Sequence, residues 1–364
     1  MRTLLGLLGL NSIMESENNV IACSECFADQ GLKLYAIQIG IEEIGVCPNC
    51  GNAKGRKLSI SDLFDLAHRF FVWGSLLRCK YGAAPLIQFN EHQSTCIDFS
   101  LWLKPDVEIF ERLLGIGFFD YGPRLWMIGE VEPLKAIQTT KKRVSIVERI
   151  ISEYPKRVIE PHEFFYRIRK NPKTPSNPLE YDSPPSDLAG TGRLDTKRNP
   201  ILYASQDLQV CVHECRVTAE DELYVATLKP KRHLKLLDLS ILLKEENVTE
   251  FESLDMAVHM LFFAAKHSYK ITRSIAIRAQ TAGFDGVVFP SYFSLLRIGV
   301  MPFPTIYGIS HRRIPGFQEY EQDKAIPNLA IFGRPIKQGC ITIESINKLI
   351  LNRVSYDFHF GPAR

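Results

Sequence analysis

Between Ser59 and about Arg78, apolar positions recur at three- and four-residue spacings: Leu63, Leu66, Phe70, Trp73 and Leu77 line one side of the run SISDLFDLAHRFFVWGSLLR. That spacing predicts an amphipathic helix with Ser59 or Ser61 as its N-cap. A second helix is predicted from Pro105 to Leu114 on Val107, Phe110, Leu113 and Leu114, with Gly115 as its stop. Ahead of both, Phe27 to Val46 alternates apolar and polar residues around Leu32, Leu34, Ile37 and Ile39, which predicts a short hairpin. Past Pro155 and Pro161 the texture changes, so a domain boundary is placed near Glu160. Beyond it, strands are predicted at 201–205, 223–228, 234–239, 284–290 and 328–332. Between them lie a short helix through Glu214, a long apolar helix from about Ser253 to Tyr269 and a helix ending near Gly283. The Pro-, Asn- and Ser-rich run from Lys170 to Leu188 predicts a mobile excursion.

Composition narrows the classes. A hydrophobic content of 45% over 364 residues can fill the cores of two domains of ordinary size. Lys and Arg number 44 against 41 Asp and Glu, too even a balance for a surface that binds polyanions along its whole length. No apolar run reaches the roughly 18 to 20 residues needed to span a bilayer. Met1 to Leu10 is a weak signal-like stretch with no A-x-A-like site after it, and Met14 is an alternative start just before the first cysteine pair.

That pair, Cys23 and Cys26, is followed by a second, Cys47 and Cys50, across a twenty-residue segment. Two C-x-x-C turns at this separation present four thiolates to one tetrahedral ion, which predicts a structural zinc with no open position for substrate. A metal-held thiolate set suits a reducing compartment, so the expected location is the cytoplasm. The domains expected are a zinc-knuckle segment (1–57), a helical N-terminal domain (58–158), a catalytic α+β domain (159–340) and a C-terminal tail (341–364).

Four stretches of the second half carry candidate chemistry: Phe165-Tyr166-Arg167-Ile168-Arg169, Gly190-Thr191-Gly192-Arg193-Leu194-Asp195, Tyr203-Ala204-Ser205 through Glu214, and Phe284 to Ser291. Their order and spacing resemble the RES family, named for an Arg, a Glu and a Ser. The resemblance covers about residues 160 to 335, and the N-terminal part is similar to an extension found ahead of some RES domains. It implies an ADP-ribosyltransferase-like fold, cleavage of NAD+ at the nicotinamide–ribose bond, and a restraining antitoxin or regulatory partner. Two departures touch the substrate pocket: the turn reads Gly192-Arg193-Leu194-Asp195 where many members have Gly-Arg-Trp-Asn, and the loop before it is long.

By that resemblance Arg167, Glu214 and Ser291 are the catalytic candidates, and Arg193, Tyr203 and Gly192 the substrate-binding ones. Cleavage builds positive charge on the ribose while nicotinamide leaves neutral, so the site needs an anion near the ribose and cations on the pyrophosphate. Glu214 suits the anion role: Leu208, Cys211, Val212 and Cys215 share one helix face, and Glu214 lies at its edge, about 60° from Cys211. Arg167 and Arg193 offer planar forks to phosphate oxygens, with Arg169 an alternative to Arg167 on the same strand face. Tyr203 could stack on nicotinamide or ribose, Ser205 is expected to cap the following helix, and Ser291 to bond the carboxamide or a ribose hydroxyl. Gly190 and Gly192 would let backbone N–H groups approach phosphate, though a turn alone also explains them. His213 is expected to be solvated, and so is the basic cluster Lys141-Lys142-Arg143.

Two other readings stay open. ADP-ribose transfer to a protein or nucleic acid breaks the same bond first. A zinc-dependent nucleic-acid-binding module is suggested by the cysteine pairs and the basic cluster, against which the near-neutral charge argues. A nuclease of the HEPN kind would need a His shortly after Arg69 or Arg78, which is absent.

Overall fold

The computed structural model of the protein describes residues 19–79, 82–121, 131–185, 189–298, 312, 316–355 and 358–363. The signal-like N-terminus and the alternative start at Met14 lie outside them. The described residues form two compact units, one drawn from 19–78, 84–121 and 358–363, the other from 79, 82–83 and the described part of 131–355.

In the first unit β1 (Val20–Cys23) pairs antiparallel with β2 (Lys57–Ser59), Cys23 opposite Lys57. Between them the segment expected as a hairpin is a helix, α1 (Gln30–Ile39), capped by the Asp29 carboxylate on the Leu32 N–H. The competing period won: Leu32, Tyr35 and Ala36 are buried at helical spacing, whereas Leu34 and Ile37 of the apparent alternation are exposed. The helix α2 (Ile60–Ala67) starts on Ser59, which exchanges hydrogen bonds with Asp62. It stops eleven residues before the expected Arg78. The backbone widens into a π turn (His68–Val72), tightens into a 3-10 turn (Trp73–Ser75) and leaves as β3 (Leu76–Cys79), which forms a ribbon with β4 (Gly82–Pro85). Gly74 lets residues 360–361 approach its backbone, where a Cβ would meet the Phe360 carbonyl oxygen at 2.3 Å. Strand β5 (Ile87–Asn90) pairs with β6 (Gly117–Asp120). Between these, α3 (Lys104–Leu114) ends as expected on Gly115 in the left-handed region, at φ 66°. Its Asp106 carboxylate accepts the Ala28 and Asp29 N–H groups at 2.9 and 2.7 Å, tying α3 to the start of α1.

The second unit begins before the expected boundary at Glu160, because α4 (Glu132–Gln138), α5 (Thr140–Glu153) and β7 (Lys156–Ile159) belong to it. Arg143 of the basic cluster is not simply solvated: its guanidinium donates to the Ile137 and Gln138 carbonyls at the end of α4. An eight-stranded mixed sheet follows from β8 (Phe165–Lys170), β9 (Ile201–Ser205), α6 (Leu208–Glu214), β10 (Leu223–Pro230), β11 (Leu234–Asp238), α7 (Leu254–Phe263), α8 (Tyr269–Thr281), β12 (Gly286–Pro290), α9 (Ser294–Arg297), α10 (Gln318–Asp323), β13 (Pro327–Phe332) and β14 (Ile341–Leu349). Its order is β14-β10-β8-β9-β13-β12-β11-β7, antiparallel except for β11 with β12. The expected C-terminal tail is therefore divided: residues 341–349 form the edge strand beside β10, and 358–363 return to the first unit, where the Phe360 N–H bonds the Tyr35 hydroxyl.

Alternation along the strands separates two cores. Val287, Phe289, Ala330 and Phe332 meet α4, α5, α7 and α8 on one face, while Val288, Leu329, Ile331, Leu202 and Ala204 face the other with Phe165 and Tyr181. The expected long helix over 253–269 breaks after Phe263, where Arg193 donates to the Leu261 and Ala264 carbonyls, both at 3.0 Å. The Pro-rich excursion is no free loop either: Tyr181, Asp182 and Ser183 are buried, and a 3-10 turn forms over Pro178–Tyr181.

On α7, Asp255 forms a buried bidentate pair with Arg312, both bonds at 2.9 Å, and accepts the Leu243 N–H. Removing one partner leaves a buried charge unmatched. Asp255→Ala should therefore cost about 3–5 kcal/mol, read as a lowered thermal midpoint for the second unit; an unchanged midpoint would show that the pair contributes nothing.

Candidate active site

Glu214 ends α6, a seven-residue helix capped by the Asp207 carboxylate on the Val210 N–H. Ser205, the expected cap, instead donates to the Pro327 carbonyl and accepts the Asp207 N–H. Asp207 is the better cap because an ionised side chain at the helix start also meets the positive end of the dipole. Val210 and Cys211 face inward beneath the helix, and Cys211 and Cys215 are bonded to the Tyr166 and Ile168 carbonyls of β8. Burial raises the Cys211 thiol to about 12, which keeps it protonated and inert.

From its exposed position Glu214 reaches back to the ends of two central strands. The Ser291 hydroxyl donates to Glu214 Oε1 at 2.7 Å, and the Asn328 amide donates to the same oxygen at 2.6 Å. Both donors are buried. Ser291 Oγ also accepts the Phe293 N–H, which turns the hydroxyl proton towards the carboxylate. Pro290 and Pro327 are register partners just ahead of Ser291 and Asn328. Neither brings an N–H to the ladder; beyond them the Ser291 N–H still donates to the Ile326 carbonyl, while Asn328 lies within the ladder between Phe289 and Ser205.

The Gly-Arg turn is built around Asp195. Its carboxylate accepts the Tyr203 hydroxyl at 3.0 Å and the Gly190 N–H, while the Tyr203 oxygen accepts the Leu194 and Asp195 N–H groups. Tyr203 is thus anchored by its phenol, held well above its usual pKa by burial and by the Asp195 charge. A Cβ on Gly192 would meet Asp195 Oδ1 at 2.1 Å, and the Gly190 and Gly192 carbonyls accept Arg273. Packing on Asp195 and Arg273 therefore accounts for these glycines. Arg193 lies over the Tyr269 ring at 5.0 Å; burial lowers its pKa and the Tyr269 and Glu214 charges oppose that.

Arg167 is placed differently from the expectation of a free phosphate fork. Tyr166 pairs with Ser205, the single register pair between β8 and β9, so Arg167 roots on the sheet face opposite Tyr203 and Ser205. Its guanidinium donates to the Tyr203 carbonyl at 2.7 Å and the Asp182 carbonyl at 3.2 Å, leaving a buried Nε without a partner. Burial, then Arg169, lowers its pKa to about 10. Arg169, on the same face, donates to the Glu180 carbonyl. Together the two arginines hold the 180–182 segment against the sheet.

Three features escaped the sequence. Asn328 lies within the strand predicted at 328–332, and nothing local marks its side chain for the site. Arg297 bonds Asp207, fastening α9 to the cap of α6. His213, expected in solvent, is half-buried and stacked on Phe293 at 5.9 Å; burial and then Arg297 lower its pKa.

In the first unit the four cysteine sulfurs converge within 4.8 Å of one another, with Cys23–Cys26, Cys23–Cys50 and Cys26–Cys47 separations of 3.9, 3.5 and 3.6 Å. Tetrahedral zinc–thiolate bonds of about 2.3 Å place sulfurs about 3.8 Å apart, so the set fits such an ion. Asn49 donates to Cys26 Sγ at 3.2 Å, and a Cβ on Gly55 would strike Cys23 Sγ at 2.7 Å. Burial raises the Cys26 thiol to about 11, a cost that a bound cation reverses.

Residues 164–298 match the family model of the RES domain. Arg167, Arg193, Tyr203, Glu214 and Ser291 fall inside the RES match; Asn328 and the cysteine cluster fall outside it. A solved structure titled "Crystal structure of the M.tuberculosis MbcT-MbcA toxin-antitoxin complex" is similar over 56% of this chain and 92% of that chain, at 15% identity and a TM-score of 0.32. No curated protein matches. No helix among the described residues is long and apolar enough to cross a membrane.

Tyr203→Phe removes the oxygen that serves Asp195 and two backbone N–H groups. It should cost about 1–3 kcal/mol of stability, seen as a lowered denaturant midpoint; full retention of the midpoint would mean the turn does not depend on the phenol.

Proposed function

We propose that residues 159–340 form a RES-type catalytic domain that degrades NAD+ by breaking the nicotinamide–ribose bond, with Glu214 as the carboxylate that meets the reacting ribose. The observation that carries this reading is the bond between Ser291 and Glu214, residues 77 apart in sequence, inside the span matched by the RES model. In the reaction the C1′–N bond breaks and its electron pair leaves with the nicotinamide nitrogen. The positive charge left on the ribose is stabilised by a fixed anion. An oxygen of water or phosphate then bonds C1′ and releases its proton. Arg193, close enough to Glu214 to feel its charge, supplies positive charge for the pyrophosphate. Arg167, buried on the opposite sheet face, acts through the scaffold: it holds the Tyr203 and Asp182 carbonyls and so fixes the strand that carries Tyr203. Tyr203 and Gly192 shape the turn that carries Arg193. Ser291 orients Glu214, a role that needs no base to activate it.

The cysteine set holds a structural zinc in this reading, consistent with a cytoplasmic protein. The restraining antitoxin or regulator implied by the RES resemblance is part of the proposal. Elemental analysis should find a single zinc per chain that Cys47→Ser loses, with the first unit destabilised; a folded, metal-free wild type would reject the zinc.

Purified protein should release nicotinamide from NAD+, and Glu214→Gln should lower the rate about 100- to 1000-fold. Mass spectrometry of the product then separates ADP-ribose from its 1″-phosphate or a modified macromolecule. No release by folded wild type with any acceptor would reject the reading.

A further inference from the structure

A carboxylate on the last turn of a helix meets the negative end of the helix dipole, which gives it no stabilisation and no fixed orientation. Glu214 occupies that position and is exposed to solvent. What fixes it comes from the sheet beneath. Asn328, 6% exposed, sits on β13 between Ser205 of β9 and Phe289 of β12, and its amide donates to Oε1 beside the Ser291 hydroxyl. We infer that Asn328 is a positioning residue for the NAD+-cleaving carboxylate: with Ser291 it saturates Oε1 and turns the other oxygen towards the substrate ribose. This inference rests on the reading of Glu214 given above. A neutral amide suits the task because it donates to the carboxylate without neutralising it, so the negative charge remains available to the developing cation. An aspartate of the same shape would replace the donor with a second negative charge.

The test is nicotinamide release by the full-length, zinc-loaded protein, comparing wild type, Asn328→Ala and Asn328→Asp for kcat, KM and pH dependence. Asn328→Ala should lose about 10- to 100-fold in kcat, with KM within about twofold, as for a lost bond to a charged group that acts in the transition state. Asn328→Asp should be weak at neutral pH and regain activity at mildly acidic pH, where the adjacent carboxyl pair takes up its first, shared proton and so has a donor while keeping one negative charge, and lose it again at lower pH. A structural role alone would not produce that recovery. If wild type releases nicotinamide and Asn328→Ala keeps its kcat within twofold, or Asn328→Asp shows no recovery at mildly acidic pH, the positioning role is overturned while the reaction stands. If wild type releases none, the reaction and this role fall together.

Discussion

Glu214 holds its negative charge at the wrong end of a helix, and the rest of the candidate site is arranged around that fact. The Ser291 and Asn328 donors converge on one carboxylate oxygen from strands β12 and β13. They can do so because β9, β13 and β12 end together: Asn328 lies in the ladder between Ser205 and Phe289, and Ser291 follows directly on the Pro290–Pro327 pair. The helix is short, capped by Asp207, and fastened by Arg297 to α9, so the position of the carboxylate follows from the ends of three strands rather than from a loop.

One buried and three half-buried arginines do the complementary work on the surrounding segments. Arg193 closes the end of α7, Arg273 holds the Gly190 and Gly192 carbonyls, and Arg167 and Arg169 draw the 180–182 segment onto the sheet. In each case a delocalised cation meets neutral carbonyl oxygens, which satisfy hydrogen bonds without cancelling the charge. Positive charge is thereby retained around the Gly-Arg turn and the 180–182 segment.

Five strands of the second half were legible because they carry β-branched and apolar runs bounded by Gly and Pro, and those predicted at 201–205 and 328–332 lie within a residue of the observed ends; β7, β8 and the edge strand β14 were not predicted. The Ser59 cap and the Gly115 stop were legible because each depends on a local chemical rule. Elsewhere two periods competed. Residues 30–39 satisfied both alternation and helical spacing, and packing chose the helix. The run after Ala67 is apolar on nearly every side, so its pattern could not reveal the π turn, and the close approach at Gly74 depends on residues nearly 300 positions away. At the site, Glu214 and Ser291 came from an ordered set of motifs. Asn328 did not, since its role exists only once β13 lies between β9 and β12. The same holds for Arg167, whose sheet face is set by its pairing with neighbouring strands.

The most direct measurement of the central claim is a crystal structure of the Glu214→Gln protein with NAD+ bound. The account predicts the nicotinamide ribose within hydrogen-bond distance of the residue 214 side chain, with Ser291 and Asn328 still beneath it and the pyrophosphate on the Arg193 side. A dinucleotide bound elsewhere, with its ribose away from residue 214, would contradict it.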